Sequence, residues 1–348
     1  MAEIPHITTA APFIPGGTGE HRHILSTDEL STDFMLAKIK RAEELRTTEG
    51  KELRESQQLL KSRKVGGLAV YIAMFEASTR TADKHALAAF WLDMHVLPKN
   101  IEASSLTKDE SKRDMVMNIA AQGFDVLVIR DRAINTPTMA ASLDVTAVIN
   151  AGNGWKDHPT QAEADIYTAY REVGTTEGMT AVIAGDNYHG RVNRADIKMF
   201  SKFGNKLVLA SLPGLEIQDD IRQQLQEQET EYYEVNSLLE AMEYKPDLAL
   251  LSRYQKERYV GENPRTGEPW DTEKIERDYH THMALTPQVM SVAKNTKILH
   301  PLPRGPELPD DDDPRIVIWP QVKNAVWMTV TDYEYIFGVG PFEDGQAT

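Results

Sequence analysis

Leu68-Ala69-Val70-Tyr71-Ile72-Ala73-Met74-Phe75-Glu76-Ala77-Ser78-Thr79-Arg80-Thr81 is the stretch on which the fold of this chain turns. Its first half, Leu68 to Met74, is an uninterrupted apolar run with β-branched members, the pattern of a strand buried on both faces. The second half opens a helix that the spacing extends from Thr79 to about Asp93. A buried strand feeding straight into a helix is the building unit of a parallel α/β sheet. The junction also has a chemical character. The first N–H groups of a helix lack intrahelical partners, and the helix dipole favours negative charge there. Two hydroxyls and a guanidinium, whose planar fork matches phosphate oxygens, stand at that end. The stretch reads as a phosphate cradle; an ordinary N-capped helix is the simpler alternative.

Working outward, the same alternation continues in both directions. Ser26-Thr27-Asp28-Glu29 has the form of a capping box, and Phe34, Leu36, Ile39 and Leu45 mark an amphipathic helix reaching about Arg46. A more polar helix spans Glu52 to Lys64. Beyond the cradle, helices are expected at Ser111–Gln122, Thr138–Leu143 and Pro159–Arg171, and strands at Phe124–Arg130 and Thr146–Asn150. Ala151 to Asp157 reads as a Gly-rich loop. Gly174 to Gly178 reads as a boundary. A second series follows, with strands at Thr180–Ala184, Lys206–Ala210, Thr230–Glu234, Leu248–Leu251 and Lys297–Leu299. Its helices include Arg191–Phe203, Gln218–Glu227, Asn236–Glu243 and Thr286–Ala293, and a last helix spans Gln321–Phe337. Gly261–Asp271, rich in Gly and Pro, reads as a mobile loop. The acidic run Asp310–Asp313 reads as a solvated turn. The expected architecture is α/β: two doubly wound parallel-sheet domains with helices on both faces and the active site in the cleft between them. Residues 1–21 form an N-terminal extension, 22–172 plus 321–348 one domain, and 173–320 the other.

Composition narrows the function. The chain has 348 residues, enough for two domains. Its formal net charge of -15 disfavours nucleic acid and anionic membranes as partners. With no cysteine, disulfides, thiolate metal sites and a Cys nucleophile are excluded, and the composition fits a cytoplasmic protein. No apolar run is long enough to span a bilayer.

Polar residues recur just after strands, where ligands bind in open α/β sheets. Ser78 and Arg80 follow the first strand, Arg130 closes a second, and His158 lies beyond a third. Asp186 and Arg191 follow Thr180–Ala184, Arg253 and Gln255 follow Leu248–Leu251, and His300 follows Lys297–Leu299. Each has a plainer reading as a solvated strand end, a cap or a surface helix residue. Gly185 to Arg191 lacks the G-x-G-x-x-G spacing of a dinucleotide loop, so no cofactor is expected there.

As an ordered set, these segments resemble the aspartate carbamoyltransferase catalytic chains of the aspartate/ornithine carbamoyltransferase superfamily. Ser78-Thr79-Arg80-Thr81 matches the carbamoyl-phosphate motif. Ser105-Leu106-Thr107-Lys108-Asp109-Glu110 is similar to the lysine loop. Val128-Ile129-Arg130 matches the strand-end arginine and His158-Pro159-Thr160-Gln161 the His-Pro-Thr-Gln motif. Arg191 follows a Gly as in the family's second domain. Arg253-Tyr254-Gln255-Lys256-Glu257-Arg258 and His300-Pro301-Leu302-Pro303-Arg304 resemble two further motifs. The likeness runs from about His23 to about Phe337. It implies transfer of the carbamoyl group of carbamoyl phosphate to L-aspartate, for pyrimidine synthesis, without cofactor or metal. The first domain would bind carbamoyl phosphate and the second aspartate. By resemblance, Arg80, Thr81, Lys108, Arg130, His158 and Gln161 are catalytic. Ser78, Thr79, Ser105, Arg191, Arg253, Gln255 and Leu302 bind substrates. The resemblance also implies a homotrimer with shared active sites, Lys108 coming from a neighbouring subunit. Ornithine-type relatives carry His-Cys-Leu-Pro, whereas Pro301 stands here in the Cys position, and two arginines suit a dicarboxylate acceptor.

The chain also departs from the family. Ala82, His85 and Ala86 replace an Arg, an aromatic and a Glu after the cradle. Asp109 replaces the Gly that commonly follows the loop lysine, and Gly261–Asp271 is longer than its counterpart. These differences keep two other expectations open: a carbamoyltransferase with another amine acceptor, and a catalytically silent homologue serving as an assembly scaffold. The acidic surface and extra arm leave room for a regulatory chain or an associated enzyme.

Overall fold

The computed structural model describes residues 21–64, 66–100, 110–263, 267–308 and 312–343. Two compact units emerge, one of residues 165–322 and the other of the described residues within 3–164 and 323–348. The divisions fall inside two helices, Pro159–Val173 and Ile318–Ile336. Of the expected N-terminal extension only His21 is described, its Nδ1 standing 3.2 Å from Asp144 Oδ1.

The first unit begins with a short 3-10 turn, Thr27–Glu29. Here the structure corrects the expected capping box. Ser26 Oγ accepts from Asp28 N within the turn, and it is Ser31 that caps the first long helix by accepting from Phe34 N at 3.2 Å. The elements then run α1 (Thr32–Thr47), α2 (Lys51–Arg63), β1 (Ala69–Met74), α3 (Thr79–Trp91), β2 (His95–Asn100), α4 (Lys112–Ala121), β3 (Val126–Asp131), α5 (Thr136–Ser142), β4 (Ala147–Asn153) and α6 (Pro159–Val173). The sheet order is β2-β1-β3-β4 and every pairing is parallel. β2 has no counterpart among the expected strands. Its sequence, His95-Val96-Leu97-Pro98-Lys99-Asn100, carries a proline and little alternation. Such a segment is tolerated only at a sheet edge, which is where β2 lies.

The second unit continues with β5 (Thr180–Ala184), α7 (Arg191–Lys202), β6 (Lys206–Ala210), α8 (Asp219–Glu227), β7 (Tyr232–Val235), α9 (Leu238–Met242), β8 (Leu248–Leu251), α10 (Thr272–His282), α11 (Pro287–Val292) and β9 (Lys297–Leu299). Its five strands are parallel in the order β7-β6-β5-β8-β9. α10 was also absent from the expected helices. Asp271 caps it by accepting from Lys274 N at 3.0 Å, and Tyr279 is its single fully buried apolar anchor. One anchor gives almost no periodic signal in the sequence. The described ends of the 261–271 segment are pinned by an antiparallel bridge between Glu262 and Pro269. The chain closes with α12 (Ile318–Ile336).

Each sheet is buried in its own core. Tyr71, Ile119, Leu127, Ile129, Ala140 and Val148 belong to one, and Val182, Val208, Leu238, Ala249, Tyr279 and Ile298 to the other. Strands buried on both faces explain why β1, β3, β5, β6 and β8 were legible as short apolar runs. Among the described residues no helix is long and apolar enough to cross a membrane.

Candidate active site

In the first unit, β1 ends at Met74 and the chain turns into α3 at Thr79. Ser78 is the N-cap but makes no side-chain bond to the helix N–H groups; its Oγ donates instead to Thr81 Oγ1 at 2.8 Å. The helix end is thus left with donors directed outward, as an anion site requires. Thr79 and Arg80 are exposed, while Thr81 is buried. Arg130 arrives from the neighbouring strand β3, whose carbonyl end is tied to the cradle. Phe75 N donates to Arg130 O at 2.9 Å and Glu76 N at 3.3 Å. Its guanidinium donates from Nη2 to Glu76 Oε1 at 3.3 Å, and Nη1 lies 3.5 Å from His158 Nε2. Parallel pairing of β1 with β3 and of β3 with β4 therefore gathers Ser78, Thr81, Arg130 and His158 at the carboxyl end of one sheet.

His158 is held from its backbone. Asp157 Oδ1 accepts from His158 N at 2.8 Å and from Thr27 Oγ1 at 2.6 Å, and Asp157 Oδ2 accepts from Thr27 N at 2.9 Å and Ser26 Oγ at 2.8 Å. The 3-10 turn thus clamps the residue before the histidine. Gln161 lies one turn into α6, its N–H donating to His158 O at 3.0 Å. Ser105 and Lys108 lie outside the described residues.

In the second unit, Arg191, Arg253, Gln255 and Leu302 follow β5, β8 and β9, three adjacent strands. Arg191 is the first residue of α7 and is buried. Arg253 is partnered by Glu257, through Nη1 to Oε2 at 3.3 Å and through Nη2 to Oε1. Burial would raise the Glu257 carboxyl, but the guanidinium prevails and holds it below the usual range. Gln255 Oε1 accepts from Arg258 Nε at 2.7 Å. Leu302 has a left-handed φ of 60° and precedes a cis Pro303. Its N–H donates to His300 Nδ1 at 2.9 Å, so the other ring nitrogen, Nε2, carries the proton toward Glu307 Oε1 at 2.9 Å. A cavity of about 610 Å³ in this unit, lined by residues such as Leu212, Ser237, Trp270 and Lys274, includes none of the expected site residues.

Two positioning groups, Glu307 and Lys84, escaped the sequence reading, and the partners of Asp186, which that reading placed just after its strand, came only with the structure. Asp186, at the end of β5, accepts from Tyr188 N and His189 N and from Tyr259 Oη at 2.7 Å, which orders the loop before Arg191. Burial and this carboxylate push the Tyr259 phenol far up. Glu307 receives His300. Lys84, on α3, is buried and donates to Thr160 O at 3.0 Å and to Thr160 Oγ1 at 3.1 Å. A lysine one turn beyond an anion cradle gives no sign in the sequence that it points inward.

Residues 22–171 match the family model described as the aspartate/ornithine carbamoyltransferase carbamoyl-P binding domain, and residues 177–331 match its Asp/Orn binding domain. The chain is 30% identical over 310 residues to the aspartate carbamoyltransferase catalytic subunit of Salinispora tropica, covering 88% of this chain and 94% of that protein. The corresponding subunit of an Anaeromyxobacter species is 31% identical over 341 residues, 94% of this chain and 99% of that protein. Among solved structures, the aspartate transcarbamoylase of Trypanosoma cruzi in complex with carbamoyl phosphate and aspartate superposes with a TM-score of 0.76 at 26% identity, over 92% of this chain and 97% of that one. The catalytic subunit of M. jannaschii aspartate transcarbamoylase gives 0.76 at 25% identity, over 94% and 99%. Both halves of the chain, each with its own parallel sheet and its own cluster of strand-end cations, are matched along nearly their whole length: this chain belongs to the aspartate/ornithine carbamoyltransferase family.

Proposed function

We propose that the protein transfers the carbamoyl group of carbamoyl phosphate to the amino group of L-aspartate, giving N-carbamoyl-L-aspartate and phosphate. The observation that carries this reading is the cluster of donors at the carboxyl end of the first sheet. The α3 N-terminus, Arg130 and His158 come together there, with Arg130 Nη1 3.5 Å from His158 Nε2. The curated relatives named as aspartate carbamoyltransferase catalytic subunits support the acceptor, as do Pro301 in the place of a cysteine and the Arg191, Arg253 and Gln255 set.

The chemistry needs three kinds of group. Phosphate oxygens would be met by Ser78, Thr79, Arg80 and Thr81 at the helix end. The carbonyl oxygen gains negative charge as the amine nitrogen attacks the carbonyl carbon. Thr81, Arg130 and His158 would donate to it, and losing one such donor typically raises the barrier by about 2.7–4 kcal/mol. Gln161 would hold the carbamoyl NH2. When the tetrahedral intermediate collapses, the carbon–oxygen bond to phosphate breaks, and the departing phosphate takes the proton released by the amine. Arg191, Arg253, Gln255 and the Leu302 backbone would orient the dicarboxylate. For Arg253 this means exchanging Glu257 for a substrate carboxylate. Ser105 and Lys108 act in the same reading as the family's lysine loop, from a neighbouring subunit of a homotrimer in the cytoplasm. Bringing two anions together in a fixed geometry supplies much of the acceleration.

The test is turnover of carbamoyl phosphate with a panel of amines, run on protein whose mass in solution is measured alongside. L-Aspartate should be the preferred acceptor. Activity with another amine and none with aspartate would overturn the reading. Tight binding of a bisubstrate phosphonate without any turnover would favour a scaffold role instead.

A further inference from the structure

We propose that Lys84 is a positioning residue that turns the Thr160 hydroxyl onto His158 Nδ1 and so fixes the His158 imidazole as the Nε2–H tautomer. The inference deepens the carbamoyl-transfer reading and rests on it for the role of His158. Lys84 lies outside the motifs quoted above, three residues beyond Thr81.

An ammonium group is a donor only, whereas a hydroxyl has one proton and two lone pairs. Lys84 Nζ lies 3.1 Å from Thr160 Oγ1 and 3.0 Å from the carbonyl oxygen of the same residue. The lysine is buried, so these acceptors offset a desolvation cost that would otherwise be several kcal/mol. Thr160 Oγ1 is therefore an acceptor toward Lys84, and its proton must point elsewhere. Thr160 is 1% exposed, which removes water as a ready acceptor. Among the described residues, the acceptor within reach of this hydroxyl is His158 Nδ1, at 3.5 Å. A ring nitrogen that accepts carries no proton, so in neutral imidazole the proton resides on Nε2.

The consequence falls on the cradle side. Nε2 faces Arg130 Nη1 at 3.5 Å. In the Nε2–H tautomer both atoms are donors and cannot bond each other. An oxygen lying between them accepts from both, and its hold tightens as it gains negative charge, which is the condition for stabilising a tetrahedral intermediate. The opposite tautomer would spend the Arg130 donor on the imidazole. It would also leave the buried Thr160 hydroxyl without an acceptor. Lys84 thus links the cradle helix α3 to the turn that opens α6, and sets which ring nitrogen of His158 serves the reaction.

The test uses the full chain with its ten histidines labelled with 15N. His158 is assigned by its loss in His158→Gln, and the two ring nitrogens are read by long-range 1H–15N correlation on ligand-free protein. Wild type should show a protonated Nε2 and an unprotonated Nδ1. Thr160→Val, which keeps the shape and removes the hydroxyl, should move the ring toward a mixture of tautomers. It should lower kcat about five- to tenfold, the worth of one hydrogen bond, with KM for carbamoyl phosphate changed less than twofold. Thr160→Ser should restore both readouts, and Lys84→Met should reproduce the Thr160→Val spectrum. A wild-type Nδ1–H tautomer, or a tautomer unchanged in both Thr160→Val and Lys84→Met, overturns the proposal. Because the spectrum is recorded without substrate, the two readings fail separately. Aspartate turnover with an Nδ1–H ring removes the tautomer lock alone. An Nε2–H ring in a protein that carbamoylates no amine removes the carbamoyl-transfer reading alone.

Discussion

Glu163→Gln should be nearly neutral for stability near pH 4.5 and should favour the folded chain at pH 7, although it removes a fully buried carboxyl that touches a lysine. Glu163, on α6 two residues beyond Gln161, shares Lys38 with Asp332. Lys38 Nζ lies 2.8 Å from Glu163 Oε2 and also contacts Asp332 Oδ1, all three side chains being essentially without exposure. Two carboxylates facing one ammonium in a dry site would leave a net buried charge. Burial, followed by the Asp332 charge, pushes the Glu163 carboxyl up to about 8. For Lys38, burial pulls downward but Asp332 and Glu163 prevail, and it stays charged. Asp332 then carries the counter-charge and Glu163 keeps its proton at neutral pH. Glu163 Oε1 and Asp332 Oδ2 are both buried without another hydrogen-bond partner among the described residues, and a proton held between the two carboxyls satisfies both. Glutamine can copy that state, its amide N–H donating to Asp332 and its oxygen accepting from Lys38.

The sign of the pH dependence follows. Between the ordinary carboxyl value of 4.5 and about 8, the folded chain holds a proton that the unfolded chain has released. The contribution of Glu163 is therefore fully present at low pH and is lost as pH rises toward 8. The slope is about 1.4 kcal/mol per pH unit at most. The variant has no such slope, so between pH 5.5 and 7.5 the stability difference should move in its favour by up to about 2.7 kcal/mol. Urea unfolding at fixed protein concentration across that range measures it. Lys38→Met, by contrast, strips the shared cation and should cost about 3–5 kcal/mol at pH 7. If Glu163→Gln itself lost that much at pH 7, or if its difference from wild type did not vary with pH, the protonated-carboxyl assignment would be wrong.

Arg80→Ala should raise KM for carbamoyl phosphate tenfold or more, while Arg253→Ala should act mainly on KM for the acceptor, since a charged hydrogen bond contributes about 1.5–3 kcal/mol. Steady-state kinetics with each substrate varied in turn separates them, and wild-type kinetics in both variants would sink the site assignment. Gly185→Ala should cost roughly 2–4 kcal/mol, read as a drop in the thermal midpoint. Gly185 has φ +133°, and a Cβ there would lie 2.6 Å from Tyr279 Oη and run into Ser252 Oγ, beside Arg253; an unchanged midpoint would contradict that packing.

Much of this molecule is legible in its sequence, and the reason is the two-sided burial of its strands. Thr180–Ala184, Lys206–Ala210, Leu248–Leu251 and Lys297–Leu299 are short apolar runs between polar helices, and they form strands over those same residues. The order of Ser78-Thr79-Arg80-Thr81, Arg130, His158-Pro159-Thr160-Gln161, Arg191, Arg253 and His300 carried the family, because recognition of small anions needs fixed side chains at successive strand ends. β2 and α10 were not legible: an edge strand with Pro98 and a helix with one buried apolar anchor leave almost no periodic trace. The charged interior was hidden for a different reason. Lys38, Lys84, Glu163 and Asp332 look like solvated helix residues, because a charge in sequence says nothing about which face of its helix meets another. Residues 125 and 294 positions apart meet around Lys38, and residues 76 apart meet at Lys84. Local periodicity and motif chemistry thus determined the α/β alternation and the list of reacting groups. Only tertiary packing decided which buried charges pair, which oxygen keeps a proton, and which way the Thr160 hydroxyl turns beside His158.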